Sequence, residues 1–270
     1  SNVTNGKLHY NNTHYAISKL ISNIKADIDL KLPESIQFQT QIDTMFSDTA
    51  HIMGSIDMKK YVIRDTTLKI HNINSKSLLE TFKSMIPENY KDWSLNGNIS
   101  VNTTIDYAEK NKSQTVTAIT DLTLSKLGFA SPDYDYFAEG INGHIKINVN
   151  TDSDFRKISF NTDSLIEPFL IQLGEFTTNM RNRKTDLTFN GNYDIQNNNL
   201  NGVKSVLSWD NLGTLTAQGD ILGITDNLHL DMSIELEKFD NAALFETFVK
   251  DTVEYSNPEL FSARVEGESN

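Results

Sequence analysis

The stretch LNGNISVNTTIDY, Leu95–Tyr107, decides how this chain is read. After Asn96-Gly97, apolar and β-branched residues fall at every second position: Ile99, Val101, Thr103, Ile105, Tyr107. Period two is the signature of a strand with one buried face. The same spacing recurs in Ile24, Ala26, Ile28, Leu30, Leu32 and in Ile36, Phe38, Thr40, Ile42. It returns in Ile145, Ile147, Val149, in Leu187, Phe189, Gly191, Tyr193, Ile195, and in Leu228, Leu230, Met232, Ile234, Leu236. Between the runs stand turn signals at 152–154, 197–199 and Thr225-Asp226-Asn227. Few segments are apolar at consecutive positions, so the strands read as antiparallel, with one dry face and one polar face.

A glycine opens or enters many of these runs: Gly54, Gly97, Gly143, Gly191, Gly219 and Gly267. Asn-Gly marks tight turns in many hairpins. Glycine inside a strand also marks a bulge or bend, and a repeated bend would curve the sheet.

A second recurrence is longer. INSKSLLETF ends at Phe82 and FDNAALFETF ends at Phe248. Asn74 and Asp240 are good N-cap residues. Ile73 and Phe239 precede them, and Leu78 and Leu244 follow four positions on, the spacing of a hydrophobic staple. Leu78, Leu79, Phe82, Met85, Ile86 fall on one helical face, as do Leu244, Phe245 and Phe248. Pro87 stops the first helix and Ser256-Asn257-Pro258 the second. Each helix is preceded by a strand pattern and followed by a Gly-strand, at Asn96-Gly97 and at Glu266-Gly267. A weaker third copy is expected at Asp163-Ser164-Leu165-Ile166, with Pro168 inside it. Two similar capped helices can also arise without a repeat. The organisation expected is two β repeats, 1–92 with a capping helix near 75–86 and 93–270 with one near 241–254, or one continuous domain. In either form each helix plugs or covers one end of a curved sheet, with a helix plug at each end.

Composition narrows the chemistry. The chain has 270 residues, enough for a substantial core. Its formal net charge of −12 disfavours phosphate backbones and anionic headgroups, so neither nucleic acid nor charge-driven membrane binding is expected. Without cysteine there is no disulfide and no thiolate chemistry. No stretch approaches the roughly 20 apolar residues that span a bilayer. The opening Ser1-Asn2 resembles a protease-cleavage remnant, so a soluble piece of a longer chain is expected, its signal or anchor lying elsewhere.

Catalytic signatures do not emerge. None of the six histidines has metal-type spacing, and His144 and His229 sit on the polar phase of their strands. There is no nucleophile elbow, P-loop or dinucleotide fingerprint. Asp133-Tyr134-Asp135-Tyr136 lacks calcium-loop spacing and reads as a solvated loop. Trp93 and Trp209 stand singly in the sequence, each filling core or a sheet edge, and the aromatics do not group as a base-stacking surface needs. No cofactor and no metal are expected. A glycoside-cleaving pair of carboxylates, about 5–9 Å apart, would show only in space.

Asn74–Leu79 through Pro87, Leu95–Ile99, Leu212–Asp220 and Ile234–Phe248 carry a resemblance. Helix units leading into Gly-strands resemble the AsmA/TamB-like group of bacterial envelope proteins, or neighbouring uncharacterised alphaproteobacterial domains. The resemblance touches residues 60–270 and lies in pattern. It implies a long curved antiparallel sheet, mainly β with a few short helices, forming a groove or half-barrel lined by apolar side chains. It implies a periplasmic place, with the full-length protein anchored to the inner membrane. It also implies a part in moving phospholipid or in outer-membrane lipid homeostasis, with no catalytic residues. The apolar strand faces need a cover on their own account, either a second sheet layer or lipid tails. The residues expected to line the groove are Ile145, Ile147, Val149, Leu187, Phe189, Leu228, Leu230, Met232 and Ile234. The expected partner is phospholipid or another lipid. The alternative is a structural, non-catalytic β module with a self-filled core that binds an envelope protein.

Overall fold

The structure, a computed structural model, describes residues 2–10, 13–26, 35–44, 46–60, 62–110, 113–152, 154–174, 176–180, 183–224 and 228–248. In chain order the elements begin with β1 (Asn2–Tyr10), β2 (Thr13–Ala26), β3 (Ser35–Thr44), β4 (Ala50–Asp57), β5 (Val62–Asn74) and helix α1 (Ser75–Thr81). There follow β6 (Ser94–Lys110), β7 (Ser113–Ala130), β8 (Tyr136–Asp152), β9 (Lys157–Ile166), β10 (Leu170–Leu173) and β11 (Phe176–Asn179). The chain continues through β12 (Thr185–Asp194), β13 (Asn199–Trp209), β14 (Gly213–Leu222), β15 (His229–Glu237) and helix α2 (Asn241–Phe248). The protein is mainly β, as the alternation predicts.

The strands form one fifteen-stranded sheet, and strands adjacent in the chain are adjacent in the sheet from β1 to β9 and from β12 to β15. Every pairing is antiparallel, as a meander with short connections requires. The hairpin of β10 and β11 hangs from the start of β8. Among the described residues β1 and β15 do not pair, so the sheet stays open. The ladder also runs past residue 92 without a break, because β5 pairs with β6 from Thr66 to Asn74.

Bulges interrupt the strands at related places. Asp65, Asn72, Lys126 and Gly202 all have φ between +49° and +58°. The last three sit inside register shifts, and the N–H of each leaves the ladder for a side-chain oxygen on the next strand. Asn72 donates to Ser100 Oγ (3.1 Å), Lys126 to Asn142 Oδ1 (2.8 Å) and Gly202 to Asp220 Oδ1 (2.6 Å). Bulges bend a strand and add twist, which curves the sheet. Of the expected glycine bends, Gly54, Gly97 and Gly191 lie inside register shifts, while Gly143 and Gly219 pair in register beside one. Gly97, with φ +88°, has no room for a side chain, since a Cβ would overlap the Lys126 carbonyl. Gly267 and Thr225-Asp226-Asn227 lie outside the described residues, as do Ile28, Leu30 and Leu32.

The repeated phrase folds the same way twice. Asn74 Oδ1 accepts from Ser77 N–H at 2.9 Å, and Asp240 Oδ1 accepts from Ala242 and Ala243 N–H at 2.9 and 3.0 Å. These are the N-caps the sequence predicts. Each Glu-Thr-Phe turns its threonine hydroxyl back onto the preceding turn: Thr81 donates to the Ser77 carbonyl and Thr247 to the Ala243 carbonyl, both at 2.7 Å. The first helix is shorter than predicted, ending at Thr81 before a 3₁₀ turn over Lys83–Met85. The second is described to Phe248, and the rest of its predicted span lies outside the described residues.

Two expectations are corrected. Asp163–Ile166 is strand, not helix: it belongs to β9, and Pro168 sits in the break between β9 and β10, where no ladder hydrogen bond is needed. The two helices do not cap opposite ends. A meander returns every odd strand to the same side, so α1 after β5 and α2 after β15 lie at one end of the sheet. Trp93 and Trp209, single in the sequence, gain aromatic neighbours through the fold. Trp93 stacks on Phe129 (5.8 Å) and Tyr136 (6.2 Å) and meets Tyr90 edge-on (5.4 Å), while Trp209 meets Phe239 edge-on (6.3 Å).

Candidate functional site

Residues directly opposite in an antiparallel ladder point to the same face. The register therefore traces rows across the sheet. Ile147 pairs with Thr162, Thr162 with Phe189, Phe189 with Ser205, Ser205 with Ala217, and Ala217 with Ile234. The neighbouring row runs Ile145, Ser164, Leu187, Leu207, Leu215, Leu236. On the other side of the first row, Val149 pairs with Phe160 and Phe160 with Gly191, while Val203 pairs with Gly219 and Gly219 with Met232. Leu230 heads a further row through Ile221, Leu200, Tyr193 and Ile158. The structure thus brings Ile145, Ile147, Val149, Leu187, Phe189, Leu230, Met232 and Ile234 onto one face. Leu228 precedes β15, lies outside the ladder and is exposed.

This face is apolar but not sealed. Ile145, Ile147, Val149, Leu187 and Phe189 are half-buried, and at β15 the exposure rises to 58% for Leu230 and 69% for Ile234. Phe160 and Phe189 touch across β9 and β12 with ring centroids 5.3 Å apart. The reverse face is polar. There Lys146 stands between Asp121 and Asp163, and His144 lies 3.3 Å from the Thr123 hydroxyl. A shallow cleft on that side gathers Asp121, His144, Lys146, Asp163 and Asp186. Among the described residues no group of three or more His, Asp or Glu side chains is placed to hold a metal ion. No described helix is long and apolar enough to cross a membrane.

The closed end differs in kind. Ala50, Ile73, Ala130, Ala138, Met180 and Leu212 are buried there, as are Ser75, Ser131, Thr178, Thr185 and Thr247. Away from that end the buried residues among those described are few, Val203, Thr151 and the glycines Gly143 and Gly191. The helices are tied down by directed bonds. Ser75 Oγ donates to the Gly97 carbonyl (2.9 Å), and Asn74 N–H donates to the Phe46 carbonyl (2.7 Å). Arg183 joins α2 to the β13–β14 turn, donating through Nε to Thr247 Oγ1 (2.9 Å) and through Nη1 to the Asp210 carbonyl (2.8 Å). Loop carboxylates hold the turns at both ends. The Ser131 hydroxyl and the Asp135 N–H keep the Asp133 carboxyl below its ordinary range. At the opposite end the Asn197 N–H and amide do the same for Asp194.

Comparison with known protein families, with characterised proteins and with solved structures finds no match.

Several face residues escape a plain alternation reading. Leu200, Val203 and Leu207 share the face although their spacing changes from even to odd. So do Ile70 and Ile73, and Leu124, Leu127 and Phe129. Each change of phase falls on a bulge. The local signals are Asn201-Gly202 in β13 and Asn72 in β5, residue types that accept positive φ. Lys126 gives no such signal in its own identity; its clue is Asn142 on the next strand.

Proposed function

We propose that this protein is a non-catalytic part of a bacterial cell-envelope protein that binds or conducts lipid acyl chains along the apolar face of its sheet. The observation that carries this reading is the set of apolar rows from β8 to β15, half-buried to exposed, which among the described residues are covered only towards the helical end. Five strand steps at about 4.8 Å make such a row roughly 24 Å long. One leaflet's hydrocarbon is about 15 Å deep, so a row has length enough for an acyl chain. Each methylene moved from water onto the face contributes about 0.8 kcal/mol, so a long chain gains substantially without any directed bond. The resemblance to AsmA/TamB-like proteins supports a periplasmic setting, an inner-membrane anchor in the parent chain and a role in outer-membrane lipid homeostasis.

Extraction of the purified protein with organic solvent, followed by mass spectrometry beside an unrelated acidic control, tests the reading. Phospholipid near one molecule per chain is the expected result. An extract that stays empty after incubation with phospholipid vesicles refutes it, and favours the alternative of a structural module that works by binding another protein. The exposed edge at β15 is the observation that keeps this alternative in view.

A further inference from the structure

β15 ends the ladder, and among the described residues β14 alone pairs with it. Its other side presents backbone N–H and C=O groups to whatever lies beside it. Natural edges are blunted by proline, bulges, charged side chains, very short strands or a covering helix or loop. Of these, the described residues of β15 show charge, in the carboxylates of its polar phase. It runs nine residues, His229–Glu237, with no proline and no register shift against β14. Its apolar phase, Leu230, Met232, Ile234 and Leu236, carries the face of the sheet out to the edge. Its other phase holds Asp231, Glu235 and Glu237. Across the ladder these face Asp220, Thr216 and Thr214, so no cation on β14 balances them.

We infer that the edge of β15, unpaired among the described residues, docks an extended strand from another protein, one in which apolar residues alternate with lysine or arginine. Backbone hydrogen bonds supply affinity in such strand addition, and alternate side chains supply specificity. The partner's apolar phase would continue the rows of Leu230 and Ile234, and its basic phase would meet Asp231, Glu235 and Glu237. Charge argues against a second copy of this chain. An antiparallel β15–β15 pair centred on Ser233 sets Asp231 against Glu235 of the other copy, and like charges directly opposite are destabilising. The docking edge does not depend on the lipid reading, since the edge and the face are separate surfaces.

The probe is a fluorescein-labelled peptide of β15's own length, nine residues, alternating valine with lysine. Binding is read by anisotropy, and its place by amide hydrogen exchange. Two variants with equal charge change are compared. One reverses the edge (Asp231→Lys, Glu235→Lys, Glu237→Lys), and the other reverses the mid-sheet polar face (Asp121→Lys, Asp163→Lys, Asp186→Lys). The expected result is binding that protects β15 amides, weakened roughly tenfold or more by the edge reversal and little by the mid-sheet one. A valine–glutamate peptide should then prefer the edge-reversed variant. An N-methylated lysine peptide, which cannot add as a strand, should bind neither form, a readout independent of any variant's stability. Equal loss in both variants would assign the binding to net charge and overturn the inference. So would protection away from β15, β15 amides already protected before peptide is added, or a dimer of this chain formed through β15.

Discussion

At the helical end of the sheet, Leu212 is 1% exposed and Ala138 2%. A few residues along the same strands, Ile145, Ile147 and Phe189 stay half-buried. The two regions obey one alternating code and differ in what lies over them. At the end, α1 packs against β5 and β6, α2 packs against β11 of the hairpin that extends the sheet from β8, and the Trp93 ring group fills the space beside them. Over the apolar rows from β8 to β15 no described element lies in this way. Period two therefore says which side of a strand is apolar, and tertiary structure decides whether that side becomes core.

The sharpest way to break this contrast is a pair of truncations. Leu212→Ala should cost about 2–5 kcal/mol, because it opens a cavity in the packed end. Ile147→Ala should cost only about 1 kcal/mol, since part of its surface is already in water. Urea unfolding monitored by tryptophan fluorescence gives both values, and equal costs would mean that the face is packed after all. Next in size is the backbone. Gly219 has φ +151°, and a Cβ there would overlap the Asp231 carbonyl across the ladder. Gly219→Ala should cost roughly 1–3 kcal/mol and expose the amides of β15 to exchange. Gly174, at φ +62° with open space around it, is the matched control, in which only the conformational penalty remains.

The two capped helices sharpen the comparison from another side. Asn74→Ala and Asp240→Ala each remove a cap, and each should lower stability by about 1 kcal/mol. A cost confined to one of them would show that the shared wording does not carry equal weight in the fold.

The smallest effect concerns acid. Hydrogen bonds from Asn197 hold the Asp194 carboxyl below its ordinary value of 3.8. A folded-state value below the unfolded one gives stability that is whole above that ordinary value and fades as pH falls through the folded-state value. Asp194→Asn should flatten this acid limb by lowering melting slightly at neutral pH, where the carboxylate is ionised, and leaving it unchanged at the acid end. A melting series across the acid range reads it directly.

Much of the fold is legible in the sequence because local rules agree with the global one. Ile99 to Tyr107 alternates cleanly and is strand, and Asn74 and Asp240 read as caps and cap. The losses have physical causes. At Asn72, Lys126 and Gly202 an extra residue flips the phase, so a reader following strict alternation loses Ile73, Leu127 and Val203. Asp163–Ile166 invites a helical reading only while its neighbours are unknown; pairing with 143–146 on β8 and with 185–188 on β12 makes it strand. Trp93 finds Phe129 and Tyr136 through sheet register, which single-residue spacing does not encode. The members of the face at 145–149, 187–189 and 230–234 were legible because each set lies in a run that no bulge interrupts. Their cover was not, because that depends on which end the connections leave from.

The measurement that goes most directly to the central claim is site-specific photo-crosslinking. p-Benzoylphenylalanine is placed in turn at Ile147, Phe189 and Ile234 on the apolar face, and at Lys146, Thr188 and Glu235 on the polar one. Each protein is irradiated with phospholipid vesicles and analysed by intact mass. The account predicts lipid adducts from the apolar-face positions and none from their polar-face neighbours. Adducts in equal yield from both faces, or from neither, would contradict it.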